Sequence, residues 1–452
     1  MKFYSTRNKN HLIDFKEAIF QGLSPEGGLY NPAEMPDLSG LFNSMNEKTS
    51  FIDSSSMLAC EILKDDLSAD RINNICKKAF PFKPEITDAG DNIFILELYH
   101  GPSCAFKDFG AFFLAAAMEE LLAGDERKAI ILTATSGDTG SAVAQAFHNK
   151  KNIDVVILYP SGRVSNLQEK QLTTLGGNVT ALEVKGSFDD CQKMAKEAFL
   201  NKELSSLPLT SANSINLGRL IPQAFYYVYA INQLKKKYEN IVFSVPSGNF
   251  GNLTAGVLAA KWGLPVEKFI AATNANKVVP EYLESGIYSP RQSVQTYSNA
   301  MDVGAPSNYE RLKDIFNDDY KKMGEMLAGE WVTDDETFNT IKSYYDKKGK
   351  FIDPHTAVGY VASQRYIKKL KLAAGGCACC CAKDDGASPA NTALVALSTA
   401  HPGKFLEVVE QATGVKQTLP PQLEKILKLK KESVLIGNTT EALKNYLLER
   451  FN

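Results

Sequence analysis

The chain has 452 residues, of which 44% are hydrophobic and 23% are charged, and its formal net charge is −2. This is a globular composition, long enough for two or three domains, and its near-neutral charge excludes a global attraction to nucleic acid or to anionic membranes. No apolar run reaches the ~18 residues that cross a bilayer, and the polar N-terminal segment lacks the hydrophobic region of a signal peptide, so we expect a cytoplasmic protein.

The first part of the chain, residues 1–95, is predicted to be a small, mostly helical N-terminal domain. Its helical patterns lie at residues 15–20, 54–64 and 68–79. Pro81 and Pro84 follow the last of them and mark a boundary, because proline interrupts helices and favours turns.

From about Ile93 the pattern becomes an alternation of short apolar runs with helical segments. The predicted strands are residues 93–98, 129–134, 154–159, 178–184, 241–245 and 269–273, with a last apolar run that begins at Leu394. The predicted helices include residues 108–122, 164–175, 188–200 and 217–237. Continuous apolar strands that alternate with helices favour an α/β fold, with parallel sheets covered on both faces. Residues 406–452 are predicted to be a helical, charged C-terminal segment.

Lys107 is enclosed in the sequence by Phe106 and Phe109. Lysine is rarely buried without a task, and desolvation lowers its pKa and frees the amine to attack a carbonyl group. An aldehyde cofactor could then be held on Lys107 as a Schiff base. On this segment alone, a surface lysine whose stem lies on an aromatic ring is the favoured interpretation.

A loop with two glycines follows the predicted strand 241–245 and precedes a helix. It consists of Ser247, Gly248, Asn249, Phe250, Gly251 and Asn252. Successive backbone N–H groups in such a loop converge on an anion, and the helix N-terminus adds a favourable potential, so a phosphate fits here. The glycine spacing matches neither the dinucleotide fingerprint nor the Walker pattern. A tight turn with an asparagine cap explains the same residues equally well.

Two other helix starts are suited to anions. The first, after the strand 129–134, contains Ser136, Gly137, Asp138 and Thr139. Its hydroxyl and N–H groups could hold a carboxylate, and Asp138 could accept a hydrogen bond from a cofactor. The second contains Asn213, Ser214 and Arg219, and arginine binds anions through two parallel hydrogen bonds. Each alone is best explained as a helix cap, but three such sites at the carboxyl ends of strands favour a ligand.

The remaining polar candidates are weaker. Thr399 ends the last predicted strand, where its hydroxyl could bind a pyridine nitrogen, although a structural threonine is more common. His355 and His401 could act as acid–base groups, but no sequence-adjacent partner is present, which favours structural roles. Cys104 has no obvious histidine partner and is not predicted to be a nucleophile.

A cysteine cluster interrupts a glycine-rich segment before Thr399. It comprises Cys377, Cys379, Cys380 and Cys381. Neighbouring thiolates cannot easily share one tetrahedral metal, so we predict a variable exposed loop and no metal site.

With these residues assembled, the chain resembles the threonine synthases, pyridoxal-phosphate enzymes of the tryptophan-synthase-β fold group, in their bacterial and fungal-like class. The resemblance covers nearly the whole chain. The segments that carry it are residues 4–7, 22–30, 101–108, 136–140, 302–308 and 397–402. It implies a two-lobed fold of type II among pyridoxal-phosphate enzymes. Residues 1–95 then form the N-terminal domain, residues 96–405 the cofactor-binding core and residues 406–452 the C-terminal helical segment.

The resemblance also implies a role for each candidate residue. Lys107 resembles the lysine that forms the Schiff base, residues 247–252 resemble the loop that binds the cofactor phosphate, and Thr399 resembles the residue that faces the pyridine nitrogen. Ser136, Gly137 and Thr139 resemble the residues that hold the substrate carboxylate, and Asp138 is placed at the cofactor oxygen. Asn213, Ser214 and Arg219 resemble the pocket for the phosphate of the substrate.

The implied reaction converts O-phospho-L-homoserine and water to L-threonine and phosphate, the last step of threonine biosynthesis and a lyase reaction. A serine or threonine dehydratase, or a cysteine-synthase-like enzyme, is the nearest alternative, but those enzymes need no second phosphate site. A non-catalytic protein of the same family is a further alternative. The sequence leaves open whether the protein is a monomer or a homodimer.

Overall fold

The computed structural model describes residues 1–124, 128–135, 137–375 and 388–451. The strands are β1 (Phe3–Ser5), β2 (Asn8–Ile13), β3 (Tyr30–Pro32), β4 (Glu85–Gly90), β5 (Ile93–Glu97), β6 (Ala129–Ala134), β7 (Ile153–Pro160), β8 (Val179–Val184), β9 (Leu209–Thr210), β10 (Asn240–Pro246), β11 (Lys268–Thr273), β12 (Leu327–Trp331), β13 (Thr392–Ser398) and β14 (Val434–Ile436). The helices are α1 (Phe15–Gln21), α2 (Ser39–Ser44), α3 (Phe51–Leu63), α4 (Ala69–Ala79), α5 (Lys107–Leu121), α6 (Asp138–Phe147), α7 (Asn166–Thr173), α8 (Phe188–Leu200), α9 (Leu217–Leu220), α10 (Gln223–Leu234), α11 (Gly251–Lys261), α12 (Val278–Ser285), α13 (Tyr309–Ile315), α14 (Tyr320–Met326), α15 (Asp334–Lys348), α16 (Pro354–Gly375), α17 (Leu406–Thr413), α18 (Pro421–Leu427) and α19 (Thr440–Phe451).

Two parallel sheets form the centre of the molecule. Within the described residues, one sheet has the order β12-β11-β10-β13-β5-β4 and the other has the order β14-β8-β7-β6-β9. Every residue of β6 and of β13 is buried, which explains why these strands read as continuous apolar runs in the sequence. Only the edge strand β4 runs antiparallel to its neighbour among the strands of these two sheets that the structure describes. The predicted α/β class with two lobes is confirmed.

The N-terminal part contains a small antiparallel sheet that the sequence analysis did not predict. Its strand order is β2-β1-β3, and β1 and β3 have only three residues each. Strands this short carry no readable alternation, and β2 is mostly polar and exposed. The helix α3 and Phe80, the residue that follows α4, pack on α5 through aromatic rings. Phe51 lies 5.4 Å from Phe109 and 5.1 Å from Phe80, measured between ring centroids.

The long helix predicted over residues 217–237 is wrong, because the chain forms two helices there. α9 ends at Leu220 and α10 begins at Gln223, with Pro222 between them. Proline has no N–H group to donate to the preceding turn, and its ring clashes with that turn, so the helix breaks. The strand β14, which pairs with β8, was missed inside the segment predicted to be helical. It is a short edge strand with largely exposed residues, which gives little apolar signal.

The carboxyl ends of the parallel strands bring the predicted loops together. The neighbouring strands β10, β13 and β5 are followed respectively by the 247–252 loop, by Thr399 and, after a turn, by Lys107. In the other sheet, the paired strands β6 and β9 precede Gly137 and Asn213. Among the described helices, none is long and apolar enough to cross a lipid bilayer.

A buried arginine joins the N-terminal sheet to the core. Arg311 has no exposed surface, and its guanidinium donates to Tyr30 O at 3.0 Å, Asn308 Oδ1 at 2.5 Å and Ile215 O at 2.6 Å. These three acceptors belong to distant parts of the chain. Arg311 therefore fixes β3 and the segment before α9 to the start of α13.

We expect Arg311→Met to lower the free energy of unfolding by about 3 kcal/mol, because three acceptors, two of them in fully buried hydrogen bonds, lose a charged donor. Urea denaturation followed by circular dichroism measures this. Arg7→Met is the matched control, since Arg7 also binds α13, through Glu310 at 3.0 Å, but its side chain is 53% exposed. The control is expected to cost less than about 1 kcal/mol. Equal losses in the two variants would contradict the role of Arg311.

Candidate active site

Lys107 is the first residue of α5, and backbone hydrogen bonds hold it beside the loop that follows β13. Phe106 N–H donates to Thr399 O at 2.9 Å, and Ala105 forms an isolated bridge with Ala400. These contacts bring Lys107 and Thr399 to adjacent positions. The lysine side chain is largely enclosed, with 19% of its surface exposed, and its ammonium lies 5.8 Å from the Phe106 ring centroid.

The pKa of Lys107 is lowered from its usual value. Burial is the main cause, and the positive charges of Lys404 and Arg219 act in the same direction. The carboxylate of Asp138 opposes them, because its Oδ2 lies 3.9 Å from Lys107 Nζ. Lys107 is therefore buried, whereas its sequence segment alone favoured a surface lysine, and the amine holds its proton less tightly than an exposed lysine does.

The loop that begins with the predicted carboxylate-binding residues is fixed by a threonine. Thr135 Oγ1 accepts hydrogen bonds from Gly137 N at 3.0 Å and from Gly140 N at 2.9 Å. Gly137 has φ of 153°, and a Cβ added there would meet Gln168 Nε2 at 2.5 Å, so the position requires glycine. Thr139 lies in the first turn of α6. Ser136, predicted for the same role, lies outside the described residues.

Asp138 lies between two ammonium groups. Its Oδ1 is 2.7 Å from Lys404 Nζ, and its Oδ2 faces Lys107. Burial alone would raise the pKa of Asp138, but Lys404 and Lys107 outweigh it and hold the pKa well below its usual range. The carboxyl group is therefore ionised, and it bridges Lys107 to the segment after β13.

The 247–252 loop has the features of an anion cradle. Phe250 adopts a left-handed conformation with φ of 61° and caps α11, whose first residue is Gly251. A Cβ added at Gly248 would meet Ala300 O at 2.7 Å and Met301 Cα at 2.8 Å, so only glycine fits there. The Ser247 hydroxyl donates to Val245 O at 2.8 Å and Asn249 Oδ1 accepts from Ser307 N at 2.9 Å, which fixes both sides of the loop.

Asn252 supplies a buried donor at this helix start. Its Oδ1 accepts from the hydroxyls of Tyr226 at 2.6 Å and Tyr227 at 2.7 Å, which orients the amide. Within the described part of the chain, its Nδ2 has no hydrogen-bond partner. The helix N-terminus and this unpaired donor together fit a phosphate group.

The predicted anion site that contains Asn213, Ser214 and Arg219 lies against the 247–252 loop. A Cβ added at Gly251 would lie 3.8 Å from Ser214 Cβ and 3.3 Å from Asn308 Nδ2. Arg219 is buried, and its guanidinium donates to Ala212 O at 2.7 Å. Among the described residues, Arg219 Nε, Asn213 Oδ1 and Asn308 Nδ2 have no partner. Burial lowers the pKa of Arg219 to about 10, so the group remains charged at neutral pH.

Thr399 is connected to the 247–252 loop through a chain of buried hydrogen bonds. The hydroxyl of its neighbour Ser398 is 2.6 Å from that of Thr356, which in turn donates to Asp353. His355 Nδ1 lies 2.7 Å from Asp353 Oδ1, and its Nε2 accepts from Ala300 N–H at 3.2 Å. Ala300 packs against Gly248, so the same network reaches the glycine loop.

Both histidines are occupied by local contacts. The two ring nitrogens of His355 are engaged in the network just described. Burial lowers the pKa of His401 to about 4, and its Nδ1 accepts from Gly403 N at 3.0 Å.

Burial raises the pKa of the Cys104 thiol to about 12, which leaves it protonated and a poor nucleophile. The cysteine cluster at 377–381 lies outside the described residues.

Several polar residues of the site were not predicted from the sequence. Lys404 contacts Asp138, and Asn308 faces the glycine loop. Asp108 follows Lys107 directly. The signal for Asp108 was present, since a second charged residue lies between the same two phenylalanines. Lys404 stands six residues after Ser398, and only the turn at Pro402 brings it back to the site.

The comparisons with known proteins agree over the whole chain. The family described as pyridoxal-phosphate dependent enzyme matches residues 82–381, and those described as threonine synthase N terminus and threonine synthase, C-terminal match residues 2–80 and 373–447. The chain is 40% identical to threonine synthase of Haemophilus influenzae over 99% of this chain and 100% of that protein.

Solved structures give the same result. The crystal structure of threonine synthase from Escherichia coli has a TM-score of 0.87 and 39% identity, and covers 99% of this chain and 100% of that one. The X-ray structure of threonine synthase with bound pyridoxal phosphate from Brucella melitensis has a TM-score of 0.89 and 33% identity, over 99% of both chains.

The buried carboxyl group of Asp108 is expected to make the stability of the fold depend on pH. Burial raises its pKa to about 7, against hydrogen bonds from Ser103 that lower it. Its Oδ2 accepts from Ser103 N at 2.9 Å, while its Oδ1 has no partner within the described ranges. The unfolded chain releases this proton near pH 3.9, so the folded chain holds it more tightly between about pH 4 and pH 7. The resulting stability is complete below pH 4 and is lost as the pH rises through 7.

We expect Asp108→Asn to reduce the fall in stability between pH 5 and pH 8 by about 2 kcal/mol in the cofactor-free chain. Urea denaturation at the two pH values measures it. Asp189→Asn is the control, because Asp189 occupies the first turn of α8 and is exposed. If Asp108→Asn and the control have the same pH dependence as the unaltered chain, Asp108 does not titrate in this window.

Proposed function

This chain belongs to the threonine synthase family of pyridoxal-phosphate-dependent enzymes, and we propose that it converts O-phospho-L-homoserine and water to L-threonine and phosphate, with Lys107 as its catalytic base. The observation that carries this proposal is the juxtaposition of two donor-rich sites. The 247–252 loop and the Asn213–Ser214 segment meet at Gly251, where a Cβ would lie 3.8 Å from Ser214 Cβ. A substrate with its own phosphate needs two such sites.

Pyridoxal phosphate fits the residues on one side of this arrangement. The N–H groups at the start of α11 and the unpaired Nδ2 of Asn252 are suited to its phosphate. Lys107 is the residue for its aldehyde carbon, and Thr399 for its ring nitrogen. Asp138, between Lys107 and Lys404, is the residue nearest the ring oxygen in this assignment. When bound, the cofactor supplies an electron sink for the carbon atoms that lose protons.

The substrate is held at two ends. The N–H groups of Gly137 and Thr139 and the hydroxyl of Ser136 are assigned to its carboxylate, at the N-terminus of α6. Arg219, with Asn213 and Ser214, is assigned to its phosphate. A charged arginine that is buried and only partly hydrogen-bonded is an effective phosphate ligand, because its remaining donors are already desolvated.

Lys107 Nζ then moves protons at the carbon chain. With substrate bound, the amine of Lys107 would accept the proton from the α-carbon and later return a proton to it, and it would take part in the proton transfers at the β- and γ-carbons. Overall, the C–O bond at the γ-carbon breaks and phosphate leaves with the electron pair. The γ-carbon gains a proton and becomes a methyl group, while the β-carbon loses a proton and gains the hydroxyl group of water, whose other proton is taken up by the departing phosphate. The lowered pKa of Lys107 suits this role, because the neutral amine is the form that accepts a proton.

The proposed reaction is tested with O-phospho-L-homoserine as the substrate of the reconstituted protein. We expect phosphate and threonine to form in equal amounts, and Lys107→Ala to lower kcat at least about 1,000-fold while circular dichroism shows an intact fold. Borohydride reduction of the unaltered protein, followed by peptide mass mapping, is expected to find the cofactor on Lys107.

Two results would overturn this assignment. One is comparable turnover in Lys107→Ala. The other is faster release of ammonia from serine or threonine than of phosphate from O-phosphohomoserine, which would identify a dehydratase. Absence of any turnover together with an unmodified Lys107 would favour a non-catalytic member of the family.

We expect Arg219→Ala to raise KM for O-phosphohomoserine at least about 30-fold, since a desolvated charge-assisted contact to phosphate is lost. The affinity for pyridoxal phosphate should change much less. Steady-state kinetics and a cofactor titration measure the two effects. Arg450→Ala is the control, because Arg450 is exposed on α19. Unchanged kinetics in Arg219→Ala would remove this residue from the substrate site.

A further inference from the structure

Lys404 is a fully buried lysine that neither the family comparison nor the reaction assigns to a role. Its side chain has no exposed surface. Its ammonium lies 2.7 Å from Asp138 Oδ1 and donates to Ser103 O at 2.9 Å. Lysine is almost never fully buried unless it is paired. These two contacts join three segments of the chain: the turn before Lys107, the start of α6 and the turn after β13.

Asp138 divides its two oxygens between two lysines. Oδ1 forms the short contact with Lys404 and is also 3.5 Å from Gln168 Nε2, while Oδ2 faces Lys107 at 3.9 Å. The closer partner of the carboxylate is therefore Lys404. Without it, the same carboxylate would have Lys107 as its only lysine partner among the described residues.

We propose that Lys404 is a positioning residue that holds the Asp138 carboxylate through its Oδ1, so that the other oxygen stays 3.9 Å from Lys107 and does not form a close ion pair with it. This inference rests on the proposed role of Lys107 as the catalytic base. The positive charge of Lys404 also opposes the field that the Asp138 carboxylate exerts on the Lys107 amine.

The charged groups around Lys107 support this balance. From α6 comes Asp138, from the turn after β13 comes Lys404, and from α9 comes Arg219; Asp108 belongs to α5 itself, and His355 of α16 acts on Asp138. Asp138 raises the pKa of Lys107, while burial, Lys404 and Arg219 lower it. Removal of either member of the pair should therefore move the Lys107 pKa, and the two removals should act in opposite directions.

The test measures the titration of Lys107 in the full-length, cofactor-free chain. Limiting acetic anhydride is applied between pH 6 and pH 11, and peptide mass spectrometry gives the modified fraction of Lys107. In Lys404→Met the midpoint should rise by about 1 pH unit or more, because Asp138 is no longer neutralised. In Asp138→Asn the midpoint should fall, because Lys404 remains without its carboxylate.

The double variant Lys404→Met/Asp138→Asn is the decisive measurement. It removes both charges together, so their opposite effects should partly cancel and the midpoint of Lys107 should return toward that of the unaltered chain. A purely structural role of Lys404 predicts no such return. If Lys404→Met does not fold, the fall in Asp138→Asn and the recovery in the double variant carry the same test.

Lys416→Met is the matched control, since it removes a positive charge from an exposed position that follows α17. Its midpoint should equal that of the unaltered chain. The proposal is overturned if Lys404→Met leaves the midpoint unchanged, or if the double variant does not recover from the shift of Asp138→Asn. Reconstitution and borohydride reduction of the unaltered chain distinguish failure of the proposed function from failure of the proposed role of Lys404. If the cofactor is found on Lys107 while the midpoints do not move, only the role of Lys404 fails.

Discussion

The charge buried around Lys107 is the constraint on which this site depends. Desolvation lowers the pKa of a lysine and so favours the neutral amine that accepts a proton. It also raises the free-energy cost of burying each nearby charge and strengthens the interactions between these charges. The chain meets this requirement with a carboxylate between two ammonium groups, Asp138 between Lys404 and Lys107. Arg219 adds a third positive charge, which an anionic ligand is suited to balance. The buried positive charges of the site are therefore balanced only when anionic ligands occupy it.

The fold brings these charges together through backbone geometry. Parallel strands place their carboxyl ends at one edge, so each βα connection delivers a helix N-terminus to the same region. Hydrogen bonds then set the fine positions. The contact from Phe106 N–H to Thr399 O joins the turn before α5 to the end of β13, and Asn249 joins the glycine loop to the start of α13. These bonds need no particular side chain at Thr399, which leaves that side chain available for a ligand.

The sequence was sufficient for the strands and helices of the core and for the loops that follow them, because buried parallel strands leave continuous apolar runs. It was insufficient for the short antiparallel strands β1 and β3, whose pairing depends on distant backbone, and for the break at Pro222, which the apolar pattern concealed. Lys404 was missed for another reason. Its role comes from a turn that returns the chain to Asp138, and residue order cannot reveal that contact.

Some of the buried polar atoms that lack partners lie where ligands are proposed to bind. Within the described residues, these atoms include Asn252 Nδ2 and Asn308 Nδ2 beside Gly251, and Arg219 Nε in the proposed substrate site. A buried donor without an acceptor costs about 1–3 kcal/mol, so the folded chain carries a substantial penalty in this one region. Arg311 and the tyrosine hydroxyls on Asn252 hold the donors in place against that penalty. Phosphate oxygens would satisfy the same donors, and relief of that penalty would contribute to the affinity for the ligand.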